Sequence, residues 1–301
     1  MRLTVLGSGS TGNSVLICAG GTRVLVDAGL SAKETVRRLA LVGEDATRLD
    51  GVVITHEHSD HAGGLRVLLK SLSCPVYVSG ATRDAYIREK SRNDDEPKKR
   101  AEVLRDRTVE ISSSQDFRVG EIDFHPFTVP HDAADNFGFV AAHAGVRVAT
   151  LMDFGCVTTL VSEKLRGCAA IVIESNHSRD MLKACDVYPW ELKQRILSRT
   201  GHLSNEDVAV FRFSPEGKYL ARFGGQGSEP GQYGPPSAIA TDPRGRVYVC
   251  ESFDKIHVYE ADGRYVRTLK TPHAVHSLTF DAQDNLYVAG GHRVSKLVLD
   301  K

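Results

Sequence analysis

The chain has 301 residues, 41% of them apolar, enough for one large domain or two ordinary ones with substantial cores. Lys and Arg total 38 and Asp and Glu total 38, so no global field draws the molecule to nucleic acid or to an anionic membrane, and polyanion binding must be local. No basic start leads into an apolar stretch with a cleavage site, and no apolar run reaches the roughly 20 residues that span a bilayer, so a cytoplasmic protein without membrane contact is expected.

Residues 1 to about 207 alternate strand-like and helix-like stretches, the pattern of a layered α/β domain. MRLTVLG, SVLICAG and TRVLVDAG predict three strands joined by Gly-rich turns. SAKETVRRLALVG predicts a helix capped by Ser31, with Glu34 completing a capping box and with Leu39 and Val42 on its apolar stripe. GVVITHEHSDHAGGL runs from a buried strand into a histidine-rich loop. Residues 83 to 107 mix nine Lys or Arg with seven Asp or Glu, which predicts a solvated helical arm rather than a nucleic-acid contact. EIDFHPFTVPH and FGFVAAHAGVRVATLMD return to strands, the Ala-Gly centre of the second predicting a hairpin. From about residue 208 the texture changes to short strands and turns. IATDPRGRVYVCES (239 to 252) matches LTFDAQDNLYVAGG (278 to 291) at a spacing of 39, and SPEGKYLARF (214 to 223) matches EADGRYVRTL (260 to 269) at 46, a β-repeat array. Cys18, Cys74, Cys156, Cys168, Cys185 and Cys250 show no C-x-x-C spacing, which predicts free and mostly buried thiols rather than disulfides or a cysteine zinc site.

The sharpest chemical signal is His56-Glu57-His58-Ser59-Asp60-His61, directly after a strand. Imidazoles two apart at a strand end converge on one ion, while the following Asp and His, turned by the loop, are placed to grip a second. Two further strand ends offer His131, in TVPHDAAD, and Asp153, in ATLMDFG. Asp27, in VLVDAG, either orients this loop or a ligand, or is a structural turn residue. His177, in IVIESNHS, and His202, in RTGHLSNED, are candidates to donate a proton to a leaving alkoxide or to bind phosphate, although His202 also reads as the approach to a helix capped by Ser204 with Asp207. Asn13, in a Gly-Ser-rich loop, either presents amides to a phosphate or belongs to a tight turn. His125, His143, His257, His273, His276 and His292 lack such company and are expected at the surface or in turns.

With these motifs in order, the chain resembles the metallo-β-lactamase superfamily and, through GSGSTGNS, VDAGLS, THEHSDHAGGL, VPHDAAD, ESNH, YPW and TGHLSNED, its WalJ (YycJ) branch of metal-dependent 5′ exonucleases acting on DNA. The resemblance covers residues 1 to about 207 and implies an αββα sandwich. It also implies two divalent ions, Zn2+ or Mn2+: His56, His58 and His131 on one, Asp60 and His61 on the other, Asp153 shared. Asp60 would also steer the attacking water. Residues 208 to 301 resemble about two NHL propeller blades, too few to close, which implies pairing with a protein partner or another copy of the chain. Where the WalJ-like pattern would continue into a strand ending in one more ligand histidine, this sequence passes at about Val208 into the repeats, so the α/β sandwich is expected to be short in its second half and the second ion to lack one ligand. The competing readings are another ester, thioester or lactam as substrate, and a scaffold whose repeats recruit partners while the metal site is weak.

Overall fold

The computed structural model describes residues 1–89, 95–205, 210–213, 219–223, 229–233, 236–251, 254–271, 273–275, 277–281, 283–290 and 293–297. They cluster into two compact units, one of Met1–Glu174 with Arg199–Gly201, the other of Ser175–Ser198 with His202–Lys301.

The first unit holds two sheets. One is ordered β1-β2-β3-β4-β5-β6, from β1 (Arg2–Gly7), β2 (Ser14–Ala19), β3 (Thr22–Val26), β4 (Gly51–Val53), β5 (Val76–Val78) and β6 (Thr108–Glu110). Its first three strands run antiparallel and the rest parallel. The other is ordered β11-β10-β9-β8-β7, from β7 (Phe117–Val119), β8 (Ile122–Thr128), β9 (Phe137–His143), β10 (Val146–Leu151) and β11 (Ala170–Ile173). Alternation along β2 and β3 explains the layering. Val15, Ile17, Val24 and Val26 pack with Phe124, Phe139 and Ala141 of the second sheet, while Leu16 and Leu25 pack on the other face with Leu39, Leu65 and Leu68. Ala144 and Gly145, between β9 and β10, have φ of 50° and 79°, as a tight hairpin turn requires.

Ser31 caps the helix Ala32–Leu41 by accepting from Glu34 N at 3.3 Å. Glu34 does not return the bond of a capping box. Its carboxylate takes hydrogen bonds from Arg37 and Arg38, which hold it down at about 2. The charged arm is two helices, Gly80–Arg88 and Glu96–Leu104, with residues 90–94 outside the described set. It is less solvated than expected: Tyr86 and Leu104 join the core, and Arg100 lies over the Tyr86 ring at 4.7 Å while pairing with Glu89 and Glu96.

The second unit carries the helices Arg179–Ala184 and Trp190–Leu197. A hairpin of β12 (Val210–Phe213) and β13 (Tyr219–Phe223) follows, with residues 214–218 outside the described set. β14 (Pro236–Thr241), β15 (Val247–Glu251), β16 (Lys255–Tyr259) and β17 (Tyr265–Lys270) form a four-stranded antiparallel sheet, and β18 (Ser277–Phe280), β19 (Leu286–Gly290) and β20 (Arg293–Leu297) a three-stranded one. The repeat has a structural counterpart. Asp242 Oδ1 accepts from the N–H groups of Arg244 and Arg246 at 3.0 and 2.9 Å, and Asp281 Oδ1 accepts from those of Gln283 and Asn285 at 2.9 Å each. The same aspartate-closed turn therefore joins β14 to β15 and β18 to β19. Tyr248, Ile256 and Val258 share a core with Leu278, Leu286 and Val288. His257, expected at the surface, is instead 5% exposed on β16 beside Glu251, because strand alternation turns it onto a covered face. All six cysteines are free, but only Cys74 and Cys250 are buried. Among the described residues no helix is long and apolar enough to cross a membrane.

Candidate metal centre

Four strand ends supply the site. β3 and β4 are parallel neighbours, so Asp27, just past β3, lies beside the segment Thr55–His61 that leaves β4. Past Thr55, which is buried, one helical turn, Ser59–Ala62, brings Asp60 and His61 back toward the strand end, with His61 N donating to His58 O at 2.8 Å. His131 follows β8 and Asp153 follows β10 in the facing sheet.

The six residues singled out by the sequence come together. One ligand-type atom from each of His56, His58, His131 and Asp153 lies within 4.8 Å of the others, and so does one from each of Asp60, His61 and Asp153, Asp153 being common to both groups. Its Oδ2 is 3.3 Å from His61 Nε2 and 3.7 Å from the Nε2 atoms of His56 and His131. His56 and His61 are fully buried.

The opposite nitrogen of each of three rings faces a protein group. His61 Nδ1 donates to Asp27 Oδ2 at 2.7 Å, His131 Nδ1 donates to the Gly201 carbonyl at 3.0 Å, and His56 Nδ1 lies 2.9 Å from Thr55 Oγ1. For His61 and His131 the acceptor places the proton on Nδ1, so the lone pair of the neutral ring sits on Nε2 and points into the cluster. Lone pairs and carboxylates converging on one spot need a cation between them, and this donor set of imidazole and carboxylate suits zinc or manganese. The field at His61 favours positive charge at Nε2: burial opposes it, but Asp27 and Asp153 outweigh burial and raise the pKa of the metal-free ring to about 10, so a cation bound there would take the place of the second proton. The residues present therefore fit a pair of divalent ions.

Asp27 is more than a turn residue. Besides His61 it takes Thr55 N at 2.9 Å and Thr55 Oγ1, and it adopts φ of 63°; Asp153 adopts φ of 52°. Sequence reasoning missed the groups that hold these aspartates. Thr55 was visible as the residue before His56, and Glu174, whose Oε1 accepts Phe154 N at 2.5 Å, as the first letter of ESNH. Nothing in the sequence marked Asn136, which donates to the Asp153 carbonyl at 2.6 Å, or the Gly201 carbonyl.

His177 and His202 fall in the second unit. His177 pairs through its backbone with the segment after His202, as Asn205 N donates to His177 O at 2.8 Å, and His202 N donates to Ile196 O at 3.0 Å. Residues 206–209, into which the helix capped by Ser204 was expected to run, lie outside the described residues.

Residues 22–211 match the family model for the beta-lactamase superfamily domain. With two stacked sheets and a His/Asp cluster at their strand ends, the chain belongs to the metallo-β-lactamase superfamily. Among curated proteins it is similar to the exodeoxyribonuclease YycJ of Bacillus anthracis, 35% identical over 210 residues that cover 70% of this chain and 75% of the relative. The exodeoxyribonuclease WalJ of Streptococcus pneumoniae serotype 2 is 34% identical over 208 residues, covering 69% and 74%. Zn(2+)-bound PqqB from Methylobacterium extorquens shares the fold, with a TM-score of 0.51 at 16% identity over 67% of this chain and 82% of that chain.

Proposed function

We propose that this metal-dependent hydrolase is a 5′ exonuclease acting on DNA with two divalent ions, zinc or manganese. The observation that carries the reading is the placement of Asp153 Oδ2 within 3.7 Å of imidazole nitrogens from both ligand groups. A single carboxylate shared in this way suits a pair of ions, and the names of the two curated relatives supply the substrate class.

In this reading His56, His58 and His131 hold one ion, Asp60 and His61 hold the other, and Asp153 serves both. Bound ions supply an acidified water and offset the charge on the phosphoryl oxygens. Asp60 also orients that water. His177 and His202 are assigned the proton delivered to the departing alkoxide, on the strength of their places in ESNH and TGHLSNED. The second ion has one ligand fewer than the first from the chain's own residues, so the sites are unequal and activity rises as the weaker one fills. The repeats are assigned as NHL-like blades from about residue 208, pairing with a protein partner or a second copy in the cytoplasm. Their support is the aspartate-closed turn at Asp242 and Asp281.

The test is hydrolysis of 5′-phosphorylated duplex DNA measured together with metal content. The native protein should shorten DNA from the 5′ end and stop with chelator, and His58→Ala should lose both hydrolysis and bound metal, since its loop has no replacement imidazole. Unchanged turnover in that variant overturns the site, and chelator-sensitive cleavage of a thioester or lactam without DNA cleavage overturns the substrate.

A further inference from the structure

The Gly-rich segment GSGSTGN between β1 and β2 has no part in the ligand set, yet its last residue lies at it. Asn13 is 3% exposed, and its Nδ2 is 3.2 Å from Asp60 Oδ2 and 2.9 Å from His61 Nε2, the two residues assigned to the second ion alone. The amide is not free to drift. Its Oδ1 accepts Gly9 N at 2.9 Å, which turns the NH2 toward Asp60. Its backbone N donates to Asp60 O at 2.7 Å, and its carbonyl accepts Gly29 N at 3.1 Å.

The glycines explain how the approach is so close. Gly12 has φ of 139°, and a Cβ there would meet Gly29 C and Leu30 N at 2.7 Å; a Cβ on Gly29 would overlap the Asp60 carbonyl. Three backbone segments, 9–13, 27–30 and 58–61, are thus packed main chain to main chain, with Asn13 as the side chain projecting from that contact onto the ligands.

We propose that Asn13 is the positioning residue of the second metal site: its amide fixes Asp60 and borders His61, and so sets the affinity of the second ion without contributing to the first. The proposal rests on the two-ion reading above. It gives the Gly-rich segment a function in metal occupancy and names the residue on which a weak second site depends.

The test is titration of Mn2+ into metal-stripped full-length protein, with bound ions counted at each step and the two binding constants fitted separately. The native protein should bind two ions. Asn13→Ala should weaken the second constant by about 10- to 100-fold, the usual cost of losing a group hydrogen-bonded to a ligand, and leave the first within about 3-fold. Asn13→Asp keeps the volume and the bond from Gly9 but presents an anionic oxygen where the NH2 stood, and should tighten the second constant, a change of sign that a packing role cannot give. It also stands alone should the alanine variant fail to fold. A native protein binding fewer than two ions overturns the two-ion reading itself. Two ions in the native protein with Asn13→Ala unchanged, with both constants weakened alike, or with Asn13→Asp no tighter than native overturn the proposal while leaving that reading intact.

Discussion

Asp27→Asn isolates what the buried carboxylate does for the metal centre. Asp27 touches no ion in the ligand assignment, but it accepts His61 Nδ1 at 2.7 Å, Thr55 N at 2.9 Å and Thr55 Oγ1 at 2.9 Å. The asparagine is nearly isosteric, and its Oδ1 can keep the Thr55 N–H. Its NH2 then faces His61 Nδ1, which can accept only by surrendering its proton. The proton moves to Nε2, the atom 3.3 Å from Asp153 Oδ2, and removes the lone pair from the ligand position. Changing such a partner costs about 10- to 100-fold in affinity, or about 1.4 to 2.8 kcal/mol. Because His61 belongs to one ligand group and not the other, the loss should fall on the second ion alone. Metal titration with counted stoichiometry reads this directly, and cleavage in excess manganese should recover part of the native rate. A second constant within 3-fold of native, or equal losses at both sites, would refute the tautomer reasoning.

Gly29→Ala should be severe without replacing any ligand, because its Cβ would collide with the backbone carbonyl of the ligand Asp60 and press on Asn13 N at 2.8 Å; a displacement near 1 Å should cost roughly 100-fold in cleavage rate, against an unchanged circular-dichroism spectrum. Neutralising exposed arm residues such as Arg88, 80% exposed at its side chain, should change DNA affinity less than 3-fold, since acidic neighbours offset them; a large loss with a shallower salt slope would show that the arm grips DNA. In the repeats, burial would raise the Asp242 carboxyl, but hydrogen bonds from the Arg246 side chain and backbone outweigh it and hold it below its ordinary 3.8. That contribution is complete well above the ordinary value and fades as pH falls below it and through the lower folded value, so denaturant midpoints of the repeat half should drop as pH falls below about 4, and Asp242→Asn should flatten the drop.

The α/β layering and the ligand cluster were legible because both are written in short-range pattern. Val15, Ile17, Val24 and Val26 alternate with Leu16 and Leu25 at the strand period, and that alternation alone sorts them to two cores. The ligands from His56 to His61 are likewise local, whereas His131 and Asp153 gained their meaning only from that neighbour cluster. The supporting groups were not legible, since a hydrogen bond from Asn136 to a carbonyl 17 residues on, or from His131 to one 70 residues on, leaves no local trace. His257 was misplaced for a related reason: a histidine in KIHVY reads as a break in an apolar strand, and only the covered face of the sheet shows that it is inside.

Two non-glycine residues with left-handed backbone lie at the cluster, Asp27 beside it and Asp153 within it. Such a backbone costs on the order of 1 to 3 kcal/mol and persists only where surrounding contacts over-determine it. For Asp27 those contacts are Thr55 and His61; for Asp153 they are Asn136 on its carbonyl and Glu174 on the next amide. Glycine would relieve the strain at either position and would remove the carboxylate. Aspartate, which tolerates this region better than most residues, is the compromise that keeps a carboxylate at a sharp strand-end turn. At the cluster the strain thus falls on the two positions where a turn and a carboxylate are needed at once, as expected of a strand end built to present a carboxylate to a cation or to its ligand.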